Sequence, residues 1–269
     1  MNKISKYLSL IKFSLFQPKH GMELFQTYRD VNENSKQEII EHEYVGLDIE
    51  KCLSSVFPNS DIKKNDLLLQ TKNLELHLES FLSKIKSFNY PSKQKPYPAD
   101  YSILESSRIF LYALCKIIKP KIIVETGVAY GLSTAYILQA LHENKSGILY
   151  SIDTKFRPWE SEDMIGTCIP ENLKTHWKFV NGSSTEKLHD ILKLTGQIDI
   201  FLHDSMHTYK NMKFEFKTAW PYIKNNGFLL SDDILDNNSF LEFYSEKKIK
   251  PTLLSSLDQK HMFGILKKI

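Results

Sequence analysis

One segment constrains the fold of this chain more than any other: residues 122–134, which read IIVETGVAYGLST. An apolar, β-branched run ends in an acid, two glycines four positions apart follow, and a Ser-Thr pair opens the apolar run 135–141. The pattern predicts a buried strand, a tight turn and a helix. Gly127 and Gly131 permit positive φ and let a ligand approach the backbone, and the helix start behind them presents free N–H groups. In an α/β sheet such a turn is where nucleotide-like cofactors bind.

The composition is that of a folded domain with nearly balanced charge. The chain has 269 residues, 42% of them hydrophobic, which suits one large domain or one domain with an extension. Lys and Arg number 35 against 32 for Asp and Glu, a net charge of +3. Nucleic-acid partners are therefore not expected, because proteins that bind them usually carry a strongly basic face. The cysteines are odd in number and widely spaced, which favours a reducing compartment, here the cytoplasm, over a disulfide framework: Cys52, Cys115 and Cys168.

Residues 1–16 do not have the pattern of a membrane-spanning or secretory segment. No run of 18 apolar residues exists, so a membrane-spanning helix is not expected. In segment 1–16, Lys3 and Lys6 precede a short apolar run that Lys12 interrupts, and no small-residue cleavage site follows, so a signal peptide is not expected. A basic amphipathic helix on a membrane surface or a partner is one interpretation of this segment. A helix packed on its own domain or on a dimer mate is the favoured one.

A change of pattern near residue 90 predicts two parts. Residues 1–90 read as a helical N-terminal extension, and apolar spacing predicts a helix over 67–88. Three prolines in 90–98 require an extended or irregular boundary. In the domain 91–269, apolar strands alternate with helices, which predicts an α/β fold with a doubly wound, mostly parallel sheet. The predicted strands are 122–125, 147–153, 177–180, 199–202 and 227–231, and the predicted helices are 102–118, 133–142, 184–194 and 209–223.

Polar residues end the second and third predicted strands. Asp153 lies 22 residues after Gly131, and an acid there can accept hydrogen bonds from a ribose diol, the alternative being a capping or surface acid. After the third strand, Gly182 leaves room for a flat ring. Ser183 or Ser184 can cap the following helix. Capping and cofactor contact are compatible, so both interpretations stay open.

Carboxylates end the last two predicted strands. Asp204 follows strand 199–202, and Asp232 and Asp233 follow strand 227–231. Because these strands are expected to be neighbours, their three like charges would repel one another unless a cation binds them. Oxygen ligands suit Mg²⁺, Mn²⁺ or Ca²⁺. The alternative is that Asp232 and Asp233 cap a helix and no metal binds.

His207 is the candidate proton acceptor. It lies three residues after Asp204, in the turn that follows a strand, where a neutral imidazole could take the proton of a metal-bound hydroxyl. His203 and His207 also have the spacing of a zinc pair, but His203 should still lie in extended chain and point elsewhere. The other histidines, His261 among them, have no clustered partner in the sequence and read as surface or packing residues.

In order and spacing, these blocks resemble the class I S-adenosylmethionine-dependent methyltransferases, and more narrowly the small-molecule O-methyltransferases of the catechol and macrocin types. The resemblance spans about residues 97–235. Asp233 stands where those enzymes usually have Asn, and the first 90 residues match nothing assigned, so the acceptor-binding elements are not predicted. The similar blocks are 124–133 for the cofactor loop, 150–153 for the ribose acid, 182–184 for the adenine edge, and 199–204 and 230–233 for the metal-binding strands.

The resemblance implies an enzyme that transfers a methyl group from S-adenosylmethionine to a hydroxyl of a small molecule or sugar. A divalent metal, Mg²⁺ by preference, would lie on Asp204, Asp232 and Asp233. His207 falls where catechol-type enzymes have a basic residue and macrocin-like ones use His, which makes His207 and Asp204 the catalytic residues. The implied cofactor-binding residues are Glu125, Gly127, Tyr130, Gly131, Ser133, Asp153, Gly182, Ser183, Ser184 and Asp204.

Three other interpretations remain open. One is a metal-independent methyltransferase with His207 as base, and another is a binding protein that kept the fold without catalysis. A nicotinamide-dependent oxidoreductase is disfavoured, because the glycine after Gly127 comes at position 131, which breaks the Gly-x-Gly-x-x-Gly pattern. A homo-oligomer is compatible with each of them.

Overall fold

A computed structural model of the chain describes residues 3–40, 44–60, 62–99, 103–155, 157–255 and 260–269. Seven strands form one sheet in the order β3-β2-β1-β4-β5-β7-β6. The strands are β1 Ile122–Thr126, β2 Ile148–Asp153, β3 Trp177–Asn181, β4 Ile198–His203, β5 Ile223–Ser231, β6 Thr252–Ser255 and β7 Met262–Lys267. The helices are α1 Lys3–Phe16, α2 Pro18–Asn34, α3 Ile49–Val56, α4 Lys64–Lys86, α5 Glu105–Ile118, α6 Leu132–Asn144, α7 Ser184–Thr195, α8 Tyr209–Ala219 and α9 Ser239–Lys247.

The predicted doubly wound, mostly parallel sheet is confirmed. Strands β1 to β5 pair in parallel, and β7 pairs antiparallel with both β5 and β6. The chain runs outward from β1 to β2 and β3, then returns to β4 on the other side of β1. The strand order therefore reverses between β1 and β4, and ligands of open α/β sheets bind at the carboxyl ends of the strands at such a point.

Successive residues of the central strands point to opposite faces of the sheet, and both faces are covered. Ile123 and Ile200 belong to one hydrophobic cluster, which also takes side chains from α3, α4, α5 and α6. Val124 and Phe201, their neighbours in sequence, belong to a second cluster with side chains from α7, α8 and α9. This alternation explains why consecutive residues, 122–124 in β1 and 200–202 in β4, are all apolar.

The predicted helix 209–223 was wrong at its end. Helix α8 ends at Ala219, a 3₁₀ turn covers Trp220–Tyr222, and β5 begins at Ile223 instead of residue 227. Pro221 has no N–H for the next helical hydrogen bond, so the chain tightens and leaves the helix there. The predicted helix 102–118 begins at Glu105. Residue 102 lies outside the described residues.

The N-terminal extension contains two kinds of helix. Helices α3 and α4 contribute Leu53, Leu74 and Leu78 to the same hydrophobic cluster as α5 and α6. Helix α2, in contrast, has no buried residue. No helix in the described ranges is long and apolar enough to cross a membrane. The division of the chain at residue 90 stays a prediction.

Helix α2 runs across the carboxyl end of the sheet. Near its start, Lys19 Nζ lies 2.5 Å from Glu186 in the first turn of α7. At its end, Asn34 accepts the Tyr209 N–H at the start of α8 at 2.9 Å and donates to the Asp236 carbonyl at 3.2 Å. Because α7, α8 and residue 236 follow β3, β4 and β5, α2 spans the strand ends where the predicted site lies.

Candidate active site

The turn between β1 and α6 is built on residues with positive φ. Gly127, Ala129 and Gly131 have φ of 85°, 48° and 95°. A Cβ on Gly127 would lie 1.9 Å from the carbonyl oxygen of Asp204, and one on Gly131 would lie 2.8 Å from the Ile169 side chain. Only glycine therefore lets this turn approach the end of β4 on one side and the loop after β2 on the other.

Asp153 ties this turn to the end of β2. Its Oδ2 accepts the N–H groups of Val128 and Ala129, both at 2.9 Å, and its Oδ1 accepts the Thr154 N–H at 2.7 Å. A carboxylate has about four acceptor sites, so room for one more donor remains. Burial raises the pKa of Asp153 despite these bonds. The predicted contact with a ribose stays a prediction, and the structure adds a loop-fixing role.

Glu125 is fully buried behind the turn. Its Oε1 accepts from Thr134 of α6 at 2.8 Å and from Ser151 of β2 at 2.5 Å. Its Oε2 has no hydrogen-bond partner among the described residues. Burial raises the pKa of Glu125 to about 7. A buried acceptor without a donor is costly, and the amino group of a bound ligand would satisfy it.

The remaining predicted cofactor residues lie in two places, near the start of α6 and in the turn after β3. Ser133 faces the acids, with Oγ 3.5 Å from Asp204 Oδ2, whereas the Tyr130 hydroxyl donates to the Tyr97 carbonyl at 2.9 Å and so points away from them. The others follow β3 at the same edge of the sheet: Gly182 with φ of 149°, Ser183 with Oγ 3.0 Å from Thr185 Oγ1, and Ser184 donating to Asn211 Oδ1 at 3.3 Å.

The ends of β4 and β5 bring Asp204, His207 and Asp232 together. One ligand atom from each lies within 4.8 Å of the other two, which is the geometry of a cation site. Burial, and then repulsion from Asp232, hold the pKa of Asp204 well above its usual range. The pKa of Asp232 is raised by burial and then by Asp233. Two neighbouring acids that resist ionisation together are a donor set that a divalent cation fits.

Asp233 lies in an adjoining group with His207 and Asp236. Its Oδ2 is 3.4 Å from His207 Nδ1, and its Oδ1 is 3.6 Å from His261 Nδ1. The interpretation of His261 as a residue without a clustered partner was wrong, because the antiparallel strand β7 brings its start beside the end of β5. His207 is the residue that the two groups share.

His207 is held as a neutral imidazole. Burial and the nearby His203 lower its pKa to about 4. Its Nε2 lies 3.9 Å from Asp204 Oδ1 and has no hydrogen-bond partner among the described residues, and Asn237 donates to its backbone carbonyl at 3.2 Å. A neutral imidazole with one free nitrogen beside an acid can bind a metal or accept a proton.

Sequence reasoning missed a buried acid beneath this site. Glu215 of α8 is fully buried, and its Oε2 lies 2.6 Å from Nδ1 of the equally buried His203. His203 therefore faces Glu215 through Nδ1. The signal was present in α8, where Glu215 occupies the same helical face as the buried Met212, Phe216 and Ala219. An acid on an otherwise apolar face indicates a buried partner.

The comparisons with known proteins agree with this geometry. Residues 124–234 match the family described as methyltransferase domain, and no curated protein matches the chain. Among solved structures, the O-methyltransferase from Bacillus cereus in complex with S-adenosylhomocysteine has 15% identity and a TM-score of 0.55, over 82% of this chain and 97% of that one.

Two further structures give the same result. TomG from Streptomyces achromogenes, an O-methyltransferase in complex with S-adenosylmethionine, has 12% identity and a TM-score of 0.55, over 82% of this chain and 96% of that one. The S-adenosylhomocysteine-bound methyltransferase PaMTH1 from Podospora anserina has 16% identity and a TM-score of 0.52, over 85% and 100%. At these identities the likeness shows the fold. The fold is therefore that of these methyltransferases, and the family match covers residues 124–234, less than half of the chain.

Proposed function

We propose that the protein transfers a methyl group from S-adenosylmethionine to a hydroxyl of a small molecule or sugar, with the help of a divalent metal. The observation that carries this proposal is the meeting of Asp204, His207 and Asp232 at the strand ends beside the Gly127 turn. Cofactor turn and acid cluster share one edge of the sheet, so an acceptor oxygen at the acids would lie next to a cofactor on the turn.

On the cofactor side, the proposed contacts use groups that the fold leaves available. Glu125 Oε2 is the acceptor for the cofactor's amino group, and Asp153 has capacity for a ribose hydroxyl. Ser133 and the backbone of the glycine turn complete the methionine side, and Gly182, Ser183 and Ser184 border the adenine. The cofactor supplies the electrophilic methyl group. The protein's contribution is to hold the acceptor oxygen in line with it at near-attack distance.

On the acceptor side, Asp204 and Asp232 are the proposed metal ligands, and Asp233 is the third predicted one. A divalent ion there would bind the acceptor oxygen and lower its pKa. His207 would take the acceptor's proton at Nε2, because Asp233 lies near Nδ1 and would keep the proton on that nitrogen. His207 is also close enough to serve as a ligand instead, in which case its metal-bound nitrogen would not accept the proton. With oxygen ligands alone Mg²⁺ is favoured, whereas an imidazole ligand would shift the preference toward softer ions.

A metal-independent methyltransferase is the second candidate. It is favoured by one observation: Nε2 of His207 is buried, has no hydrogen-bond partner among the described residues and lies 3.9 Å from Asp204 Oδ1, so it could take a proton without a cation. Turnover that survives EDTA would support this candidate, and turnover that EDTA abolishes and Mg²⁺ or Mn²⁺ restores would support the metal-assisted reaction.

The N-terminal extension is proposed to act as a lid. Helix α2 crosses the ends of β3, β4 and β5 through polar contacts such as Lys210 Nζ to Asp30, 3.0 Å, which is compatible with a cover that admits only small acceptors. Homo-oligomer formation or peripheral membrane contact through residues 1–16 are proposed further roles. We also propose that the protein works in the cytoplasm, since its three cysteines are free and buried.

The experiment is methyl transfer from radiolabelled S-adenosylmethionine to a panel of catechols, polyols and sugars. His207→Ala and Asp204→Asn should abolish turnover on the accepted substrate while S-adenosylhomocysteine binding is largely retained. Ser55→Ala, at an exposed position of α3, is the control and should keep the wild-type rate. Wild-type rates in both site variants would contradict the assignment.

A further inference from the structure

We propose that Glu215 is a positioning residue that fixes Asp204, and with it the metal side of the site, by binding the residues on both sides of it. The inference rests on the proposed function. The buried carboxylate of Glu215 joins β1, β4 and the segment after β4 to α8 through hydrogen bonds.

Each oxygen of Glu215 holds one sequence neighbour of Asp204. Oε2 lies 2.6 Å from His203 Nδ1, and Oε1 accepts from Ser205 Oγ at 2.8 Å. Because a carboxylate only accepts, the His203 ring must present its Nδ1–H to it. Asp204 therefore lies between two residues that are hydrogen-bonded to Glu215, and it does not itself contact Glu215.

The same carboxylate also ties this segment to the cofactor turn. Glu215 Oε2 accepts from Thr126 Oγ1 at 2.5 Å, and the backbone carbonyl of Thr126 accepts the Asp204 N–H at 2.9 Å. The residue after Thr126 is Gly127, which packs against the Asp204 carbonyl. One side chain therefore sets the spacing between the cofactor turn and the proposed metal ligand.

Each oxygen of Glu215 has two donors. A fourth donor, Asn211 Nδ2, reaches Oε1 at 3.1 Å and also donates to Ser205 Oγ at 3.0 Å and to the Met206 carbonyl at 3.0 Å. A buried charge is tolerated when it is hydrogen-bonded, and a carboxylate whose acceptor positions are all used holds its donors in one arrangement. A residue that only filled space on the apolar face of α8 would need none of these hydrogen-bond donors.

The test measures Mn²⁺ and S-adenosylhomocysteine affinities by calorimetry on the full chain. In Glu215→Gln, an amide N–H₂ faces groups that are themselves donors, so we expect Mn²⁺ affinity to fall at least tenfold and S-adenosylhomocysteine affinity to change less than threefold. Ser205→Ala removes one bond and leaves the charge of Glu215, and we expect a loss of about two- to fivefold for Mn²⁺ alone. If the Glu215→Gln variant does not fold, the Ser205→Ala variant alone provides the test.

The control is Leu192→Ala, an apolar truncation in the same layer. It should lower thermal stability and leave the Mn²⁺ affinity unchanged. Equal losses of both affinities, or a Mn²⁺ loss in the control as large as in Ser205→Ala, would mean that Glu215 only stabilises the fold. If wild-type protein binds S-adenosylhomocysteine and Mn²⁺ but the Glu215 and Ser205 variants bind Mn²⁺ normally, only this inference is overturned. If wild-type protein binds neither S-adenosylhomocysteine nor Mn²⁺, both the proposed function and this inference fail.

Discussion

Gly127→Ala tests whether the close approach of the cofactor turn to β4 is required. The added Cβ would lie 1.9 Å from the Asp204 carbonyl oxygen, whereas real Cβ contacts essentially never fall below 3.0 Å, so the two segments must separate by about an ångström. Gly127 also has φ of 85°, and a side chain in left-handed backbone costs roughly 1–2 kcal/mol. Overpacking adds about 1–3 kcal/mol, so the free energy of unfolding should fall by about 2–5 kcal/mol.

Gly196→Ala is the matched control for the backbone cost. Gly196 has φ of 67°, and a Cβ there would meet nothing within 4 Å. Its ψ of −127° lies outside the left-handed helical region, so this variant should lose a backbone cost of about 1–3 kcal/mol and nothing from overpacking. Because separation at Gly127 moves Asp204, the Gly127 variant should also bind Mn²⁺ more weakly than Gly196→Ala does.

The measurements are urea unfolding at equilibrium and calorimetric titration with Mn²⁺ and S-adenosylhomocysteine. Equal unfolding free energies for the two variants, with ligand affinities equal to those of wild type, would refute the argument. Such a result would mean that the turn and the end of β4 do not approach as closely as the structure shows.

Three further predictions concern the acids and the N-terminal helices. First, the pKa values of Asp204 and Asp232 are raised, so the folded state holds protons that the unfolded state has lost, and metal-free stability falls as pH rises. The melting temperature in EDTA should fall as pH rises toward the raised pKa values of these acids, and Mg²⁺ should restore it; a rise with pH above about 7.5, where the imidazole of unfolded His207 is already neutral, would contradict this. Second, Glu125→Gln should weaken S-adenosylhomocysteine binding at least tenfold by calorimetry, whereas unchanged affinity would exclude the amino-group contact. Third, Lys210→Glu breaks exposed pairs worth little to global stability, so melting should shift by only about 2 °C while limited proteolysis of residues 1–40 accelerates. Lys193→Glu on α7 is the control, and equal cleavage in the two variants would refute the docking of α2.

The fold was predictable wherever local sequence decides it. The segment 122–134 contains its own strand, glycine turn and helix start, so β1 and α6 were assigned within two residues of their observed bounds. Strands β6 and β7 were not predicted. Their place beside β5 depends on antiparallel pairing such as Leu230 with Ile265, which is a contact between distant segments and leaves no local pattern.

The site was predictable to the extent that strand ends converge. Asp204 and Asp232 could be brought together from the sequence, because both follow strands that had to be neighbours in a doubly wound sheet. That Asp153 accepts the N–H groups of Val128 and Ala129 could not be foreseen, since it depends on how the turn bends back toward β2. Glu215 was missed because only the tertiary fold turns its side chain toward His203.

The most direct test of the account is calorimetric titration of the full chain with S-adenosylhomocysteine, with and without Mg²⁺. The account predicts saturable binding at one site with a Kd of about a micromolar, which corresponds to roughly 8 kcal/mol, and a weaker affinity in Asp153→Asn. No heat from folded protein up to about millimolar ligand would contradict it, because the glycine turn and Asp153 would then not form a cofactor site.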